Sequence, residues 1–441
     1  MAFGAMFIRL CNYLQDPCLV AAFQKVCGIK GTFSEKPTHS ENKLSSGASA
    51  NDGEREYPRQ RNHSPDLDTK ENQSRDLGNG AAALRSSEAG DGTQAGCGVV
   101  DPARAKPLRK NSLTGDVGNE FIINNKFLFY LFTFGTELGN EMFFIVFFPF
   151  VFWNIDTLIS RRLIIVWAWN LFIGQSTKDL VRWSRPASPP VVKVEVFYNS
   201  EYSMPSTHAM TGTAIPLSLF LLSYGRWEYS FSFGLCVALS WSLLVCVSRV
   251  YMGMHSVLEV ITGFLYSLLI LAGLLPMLDA IDGFYATHHS APLAIVLSHV
   301  GMGLLAFSLD SWSTSRGDTA QALGTGVGTA LGTHVNHRLG LLPDPPLSAL
   351  PLTVPAVGVG LVGRSLARFV LGVAVLLVSR MVMKAVTIPA LCRAFGMPTG
   401  DVRRARQHMR VELPYRYIVY SVVGFCCVCV VPFVFGVFNL A

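Results

Sequence analysis

Long apolar stretches follow one another through the last three quarters of the chain, separated by short polar segments. A helix needs about 20 mostly apolar residues to cross the hydrocarbon core of a bilayer. One stretch, 320–341, is Gly-rich and less apolar than the others because His334, His337 and Arg338 interrupt it. Since lipid forbids unpaired backbone, the pattern predicts an all-α, polytopic membrane helical bundle of about eight or nine transmembrane helices over residues 121–441. The clear stretches are 127–153, 162–177, 209–225, 230–248, 256–278, 291–309, 355–380 and 415–439.

The first 120 residues follow a different pattern. Residues 1–28 mix apolar positions with Arg9, Asp16 and Lys25 at near-helical spacing, which predicts an interfacial amphipathic helix. Residues 29–120 are rich in Gly, Ser, Asn, Asp and Arg and poor in aromatic residues. Such a segment buries too little surface to offset the entropy of ordering, so we predict a disordered N-terminal tail there.

Composition and charge narrow the class of protein. Half of the residues are hydrophobic and 15% are charged, against about a quarter in soluble domains, which favours a membrane protein. The formal charge of +6 is spread over the tail and the loops, so we expect no nucleic acid as a partner. The ten cysteines show no framework spacing, and we predict neither disulfides nor metal ligands among them.

The first polar cluster with candidate chemistry follows the second apolar stretch. Lys178, Arg182 and Arg185 are spaced i, i+4 and i+7, so on a helix they would share one face, and Pro186 would end that helix. They could bind an anion. The alternative is a basic collar that snorkels to the membrane surface.

The second cluster directly precedes the apolar stretch that opens at residue 209. Pro205 near the first turn, the Ser206 hydroxyl and free backbone N–H groups form an anion site that the helix dipole strengthens. His208 beside such a site can donate a proton. The alternative is an ordinary helix N-cap with a histidine next to it.

The third cluster contains Arg249, His255 and Glu259. His255 and Glu259 are four residues apart, so the carboxylate can accept a hydrogen bond from one ring nitrogen and leave the other nitrogen nucleophilic. A carboxylate inside an apolar helix is costly and tends to be functional or paired. A structural ion pair is the alternative. Because two spans separate the second cluster from the third, all three clusters are expected at one membrane face.

Together the clusters read K-x6-R-P, then P-S-x-H, then S-R-x5-H-x3-acid. This order resembles the type 2 phosphatidic acid phosphatase superfamily over about residues 125–280, which the resemblance makes the phosphatase core. Three segments, 196–208, 251–256 and 309–318, are similar to those of the sphingosine-1-phosphate phosphatases. The long tail and residues 109–114 favour the isoform 1 branch of that family.

The resemblance implies metal-independent dephosphorylation of sphingosine 1-phosphate and related sphingoid base phosphates through a phosphohistidine. It makes His255 the nucleophile, Glu259 the residue that orients it, and His208 the general acid. The implied location is the endoplasmic reticulum membrane, with a sphingoid base phosphate lipid as substrate, no cofactor, and no indication of protein partners. The phosphate-binding residues implied are Lys178, Arg185, Ser206, Thr207 and Arg249.

One position departs from the family pattern. The last residue of the third cluster is usually Asp, whereas this chain has Glu259, whose extra methylene must fold back to meet His255. Misplacement by about 1 Å can cost on the order of a hundredfold in rate. Glu259 is therefore the one feature that supports a lipid-phosphate binding protein with a lapsed active site.

The same motif residues are compatible with two further enzyme classes. A broader lipid phosphate phosphatase would use the same residues, and a vanadate-dependent oxidase would use much the same oxyanion cage.

The first apolar stretch contains a polar stripe formed by Glu137, Asn140 and Glu141. This stripe either contacts a sphingoid amine or joins helices. No Asp-rich or His-rich cluster accompanies the motifs, so we predict no metal site.

The side of the membrane on which the clusters lie stays open. Positive charge in the tail favours a cytosolic tail, and two spans would then bring the first cluster to the cytosol as well. The resemblance implies a lumenal catalytic face. The first stretch, 127–153, is long enough to be tilted, kinked or partly re-entrant.

Overall fold

The computed structural model describes residues 2–31, 121–195, 201–309, 315–342, 344–397 and 408–440. Most of the predicted tail, together with residues 109–114, lies outside these ranges, as do parts of two motif segments, 196–200 and 310–314. Residues 29–31, assigned to the tail from the sequence, form a strand instead. The helices and strands below therefore refer to the described ranges.

The described chain is mostly helical, which confirms the predicted all-α membrane bundle, and it also contains a short two-stranded antiparallel sheet. The elements are α1 Ala2–Gln15, α2 Pro17–Val26, β1 Ile29–Gly31, β2 Phe121–Ile123, α3 Lys126–Glu137, α4 Glu141–Asn154, α5 Thr157–Val181, α6 Thr207–Ser223, α7 Phe231–Tyr251, α8 Val257–Leu274, α9 Leu278–Thr287, α10 Ala291–Leu309, α11 Arg316–Arg338, α12 Val359–Ala394, α13 Met409–Phe425 and α14 Val431–Val437.

Six helical segments within the described ranges are long and apolar enough to cross a membrane, and the bent pair α3 and α4 makes a seventh if it is one span. The six are α5, α7, α8 with α9, α10, α12, and α13 with α14. The two remaining predicted spans, α6 and α11, are also helices. They lie inside the bundle, where α6 packs on α5, α7 and α8, and α11 packs on α5, α10 and α13. Neighbouring helices replace lipid there, so small and polar residues are tolerated.

Side-chain caps define where several helices begin. The Asp156 carboxylate accepts hydrogen bonds from the N–H groups of Leu158 and Ile159 at the start of α5. The same carboxylate pairs with Arg226, 2.6 Å away, and so ties the start of α5 to the turn after α6. Such caps satisfy N–H groups that a helix leaves free at its first turn. The caps at Ser206 and Ser256, described below, belong to the polar clusters.

The first apolar stretch is a broken helix. α3 and α4 meet at an angle of 65°, and Asn140 caps the new helix by accepting from the N–H of Met142. Gly139 at the break lies close to α6 and α7, since a Cβ there would stand 2.8 Å from Val245 Cγ1 and 3.5 Å from His208 Cβ. The bend therefore places the break against the second polar cluster.

The two N-terminal helices pack on the bundle near the motif loops. Gln24 in α2 is 1% exposed, and its amide donates to the carbonyl oxygens of Val192 and Tyr251 at 2.7 and 2.9 Å. The Gln24 carbonyl oxygen accepts from the N–H of Val192 at 2.9 Å. This one side chain joins the loop after α5 to the end of α7, which are the two segments that lead into the second and third clusters.

Candidate active site

The first cluster ends α5 earlier than the sequence suggests. The helix stops at Val181, and Arg182 takes a left-handed conformation with φ of 54° and points away to the carbonyl oxygen of Leu309. The expectation that three basic residues share one helix face is therefore wrong. Only Lys178 projects from the helix into the bundle, where it is 1% exposed and its Nζ donates to Thr207 Oγ1 at 3.0 Å.

Arg185 reaches the same region from the loop after α5. Its guanidinium donates to the carbonyl oxygen of Met254 at 3.1 Å, so the loop is tied to the turn before His255. Arg185 Nη2 also lies 3.3 Å from Glu201 Oε2, and the same oxygen lies 3.5 Å from Lys178 Nζ. Loop geometry and a shared carboxylate thus bring the two cations together.

The second cluster forms the start of α6. The Ser206 hydroxyl caps the helix by accepting from the N–H of Ala209 at 3.4 Å, and the Ser206 N–H donates to the carbonyl oxygen of Glu259 at 3.3 Å. Thr207 opens the helix and accepts from Lys178. The His208 imidazole makes no hydrogen bond within the described ranges. The predicted N-cap is present, and it sits directly beside a buried cation.

The third cluster is brought into place by a tight turn after α7. Arg249 is 1% exposed in the last turn of α7, and its Nη1 lies 2.9 Å from Glu195 Oε2. Gly253 has φ of +69°, and a Cβ at this position would overlap the carbonyl oxygen of Val192. Only glycine fits this close approach without strain.

His255 lies in a hydrogen-bonded group that includes one residue we did not predict. His255 Nδ1 lies 3.0 Å from Glu259 Oε2, which also accepts from the Ser256 N–H at 3.1 Å. The Ser203 hydroxyl donates to the same carboxylate oxygen and lies 3.2 Å from His255 Nδ1. With Nδ1 directed at the carboxylate, Nε2 makes no hydrogen bond within the described ranges.

The contact between His255 and Glu259 was predicted, but its structural cause is different. The helix begins only at Val257, so His255 precedes it and the two residues do not share a helix face. Instead, Ser256 and Glu259 form a capping box in which the Glu259 side chain folds back to the Ser256 N–H. Folding back absorbs the extra methylene of glutamate, so the carboxylate still reaches the imidazole.

Burial, together with the charges around His255, keeps its imidazole neutral. Burial lowers the pKa of His255 well below its ordinary value, and the positive charges of Arg185, Arg249 and Lys178 lower that pKa further. Burial also lowers the pKa of Arg185, while the Glu201 carboxylate raises it. A neutral imidazole with Nδ1 held by a carboxylate has its Nε2 lone pair available for a nucleophilic attack.

The clusters thus come together, and the structure adds residues that the sequence did not single out. Ser203 contacts the His255 pair, Glu195 and Glu201 contact the buried cations, and Gln24 joins the loops that carry them. The two glutamates are acidic residues inside a loop between basic motifs, which is a signal that could have been used. Gln24 carries no comparable signal because it lies 168 positions from Val192.

Two further observations concern ligands. Within the described ranges, no three His, Cys, Asp or Glu side chains are grouped so that they could hold a metal ion. A cavity of about 400 Å³ lies between the N-terminal helices and the loop after α5, and its wall includes Asn12, Asp16, Trp183, Arg185 and Glu259. Arg185 and Glu259 are therefore accessible from this cavity, on the side of the site where α1 and α2 lie.

Comparison with known proteins agrees with the motif pattern. The PAP2 superfamily model matches residues 160–281, the segment that contains all three clusters. The mouse protein "Sphingosine-1-phosphate phosphatase 1" is 48% identical over 447 residues, covering 100% of both chains. The human "Sphingosine-1-phosphate phosphatase 2" is 36% identical over 332 residues, covering 75% of this chain and 83% of that protein. The Arabidopsis thaliana "Lipid phosphate phosphatase delta" is 31% identical, covering 32% of this chain and 36% of that protein.

No solved structure matches the chain. The family assignment therefore rests on the sequence similarity, which extends over the full length, and on the PAP2 match across the clusters. The chain belongs to the sphingosine-1-phosphate phosphatases, within the PAP2 superfamily.

Proposed function

We propose that this multi-pass membrane protein is a phosphoric monoester hydrolase that converts sphingosine 1-phosphate and related sphingoid base phosphates into the sphingoid base and phosphate. Relatives named for this activity cover the whole chain at 48% identity. The observation that carries the mechanism is the placement of His255 Nδ1 at 3.0 Å from Glu259 among three buried cations. This arrangement supplies a nucleophile and a site for a phosphate dianion.

In the proposed first step, His255 Nε2 attacks phosphorus. A nitrogen–phosphorus bond forms while the ester P–O bond breaks, which leaves a phosphohistidine and an alkoxide. Glu259 accepts a hydrogen bond from Nδ1 and stabilises the positive charge that develops on the ring. Ser203 adds a third donor to the carboxylate, beside His255 Nδ1 and the Ser256 N–H, and so restricts its position.

Phosphoryl transfer asks the protein mainly to position groups and to stabilise negative charge on the equatorial oxygens. We assign this role to Lys178, Arg185 and Arg249, together with Ser206 and Thr207 at the start of α6. All three cations influence the charge state of His255, so they lie within electrostatic range of the nucleophile. Cationic side chains would thereby perform the stabilisation that bound metal ions provide in other phosphatases.

His208 completes the proposed cycle. A bound phosphate dianion favours its protonated form, and the imidazolium gives its proton to the departing alkoxide. Neutral His208 then takes a proton from water, which attacks the phosphohistidine and releases phosphate and free His255. The water supplies the oxygen of the phosphate and the proton of the alcohol, so the reaction balances.

The proposal includes the endoplasmic reticulum membrane as the location. Its support is the resemblance to a family that acts there, together with the apolar helices that make the chain a multi-pass membrane protein. Glycosylation acceptor sites inserted at either end of the loop 187–203 would test the lumenal orientation. Modification at both ends is expected, and its absence at both would contradict a lumenal site.

The central experiment measures phosphate release by the full chain in detergent, with a metal chelator present. Sphingosine 1-phosphate should be hydrolysed faster than phosphatidate, and glucose 6-phosphate should react slowest because it carries no lipid chain. Equal rates on all three substrates would defeat the sphingoid assignment. Loss of activity on adding chelator would defeat the metal-independent mechanism.

A further inference from the structure

Every buried cation of the proposed phosphate site already has a carboxylate partner. Glu201 Oε2 lies 3.5 Å from Lys178 Nζ and 3.3 Å from Arg185 Nη2, and the Glu201 side chain is 8% exposed. Glu195 pairs with Arg249 at 2.9 Å, and its side chain is 18% exposed. Glu201 therefore bridges two cations where a phosphate dianion is to bind.

Two further carboxyl groups lie within electrostatic range of Glu201. Its carboxylate interacts electrostatically with the carboxylates of Asp318 in α11 and Glu141 in α4. Asp318 is held by Arg416 at 3.4 Å, whereas the Oε1 atom of Glu141 is buried and has no hydrogen-bond partner in the described part of the chain. Glu201 thus lies within electrostatic range of two further carboxyl groups as well as in contact with its two cations.

A phosphate that enters this site competes with Glu201 for the same two cations. A buried carboxylate that loses its cations is strongly disfavoured unless another positive group takes their place. Phosphatidate offers no such group. A sphingoid base phosphate carries an ammonium on the carbon next to the phosphorylated one, within about 5 Å of phosphorus by ordinary bond lengths.

We propose that Glu201 determines the specificity of the site, because it releases Lys178 and Arg185 to the phosphate and pairs instead with the ammonium group of the same substrate. This inference rests on the proposed function. Asp318 and Glu141 lie within electrostatic range of Glu201. Glu141 Oε1, which has no hydrogen-bond partner among the described residues, offers the ammonium a further acceptor. The site is then complementary to a zwitterionic headgroup, with cations on the phosphate side and carboxylates on the amine side.

The test compares two lipids that differ at the amine, sphingosine 1-phosphate and its N-acetylated form, in which a neutral amide replaces the ammonium. Wild-type protein should prefer the free amine in kcat/KM. Glu201→Gln removes both the barrier to phosphate entry and the partner of the ammonium. We expect this preference to fall by about tenfold or more, the scale of one hydrogen bond to a charged group.

Glu195→Gln is the matched control. It removes a carboxylate from the same loop and frees Arg249, but it should change kcat/KM for both lipids by the same factor and preserve their ratio. If Glu201→Gln also changes both lipids equally, Glu201 only holds the loop and the proposal is wrong.

A second variant covers the case in which Glu201→Gln does not fold, which thermal unfolding in detergent would reveal. Glu141→Gln should lower the preference for the free amine in the same direction by a few-fold, and Glu137→Gln, at an exposed position at the end of α3, should not. An unchanged ratio in Glu141→Gln would then overturn the proposal. Failure of the wild-type protein to hydrolyse sphingosine 1-phosphate would instead contradict the proposed function itself.

Discussion

The two histidines of the site are held in opposite ways. His255 has Nδ1 at 3.0 Å from Glu259 and 3.2 Å from Ser203, and Glu259 is itself fixed by a capping box. The His208 imidazole makes no hydrogen bond in the described part of the chain, and a Cβ built on Gly139 at the break between α3 and α4 would stand 3.5 Å from His208 Cβ. One imidazole is prearranged before substrate arrives, and the other is not.

The difference fits the roles proposed for the two residues. A nucleophile must present one particular nitrogen, so its other nitrogen needs a permanent partner. A general acid meets its partner, the leaving oxygen, only when the substrate is bound, and catalytic hydrogen bonds are often absent without substrate. The comparison predicts that the two residues act in separable steps.

The largest effect is expected for His255→Ala, which removes the nucleophile. Phosphate release should fall by at least about 10⁴-fold, since loss of a nucleophile in a covalent mechanism leaves only binding and charge stabilisation. The check is labelling of the protein from ³²P-labelled sphingosine 1-phosphate, quenched in detergent at alkaline pH because a phosphohistidine is hydrolysed in acid. Covalent label retained by His255→Ala would contradict the assignment.

His208→Ala should slow release from sphingosine 1-phosphate by about 10² to 10⁴, the usual value of general acid catalysis. With para-nitrophenyl phosphate the leaving group needs no proton, so phosphoenzyme should still form rapidly and then accumulate because water is not activated. A burst of nitrophenolate measures this. Equal loss of the burst in His208→Ala and His255→Ala would show that the histidines do not divide the steps.

Glu259→Asp tests whether the glutamate is adapted to its position. Shortening the side chain withdraws the carboxylate from His255 by about 1.5 Å, and we expect kcat to fall by about a hundredfold. Glu259→Gln, which keeps the length and loses the charge, separates reach from charge. A rise in activity with aspartate would support a lapsed site, in which the glutamate impairs catalysis.

The smallest effect is a pH dependence. Burial and the surrounding cations lower the pKa of His255. The imidazole therefore stays neutral and reactive at pH values below the ordinary histidine pKa of about 6.5, and it becomes protonated only at more acid pH. The acid limb of kcat/KM should therefore lie below that value. Arg185→Gln removes one cation and should move the limb to higher pH. Because both proteins are compared on one substrate, the ionisation of the phosphate cancels, and a limb that does not move would contradict the electrostatic account.

Much of the architecture could be predicted because helix formation in lipid depends on local composition. Each predicted apolar stretch corresponds to a helix, as in α7, observed at Phe231–Tyr251 and predicted at 230–248. The stretch 127–153, for which the sequence leaves a tilted, kinked or partly re-entrant course open, contains the 65° bend between α3 and α4. The number of spans was harder to predict, since α11 is polar and Gly-rich yet lies inside the bundle.

The motif residues were also identified from the sequence, and the structure brings Lys178, Arg185 and Arg249 close to His255. Their geometry was predicted less well. Arg185 was expected on a helix but lies in a loop, because Arg182 adopts a left-handed conformation that ends α5. A single backbone dihedral of this kind leaves no reliable trace in the sequence.

The order and chemistry of the three motifs, and the helices that carry them, follow from the sequence because they depend on neighbouring residues and on the cost of exposing backbone to lipid. The partners of the buried charges do not. Glu201 meets Lys178, and Gln24 meets Val192, only because separate segments fold against each other. Pairing between distant residues depends on positions within about an ångström, and tertiary packing alone decides those positions.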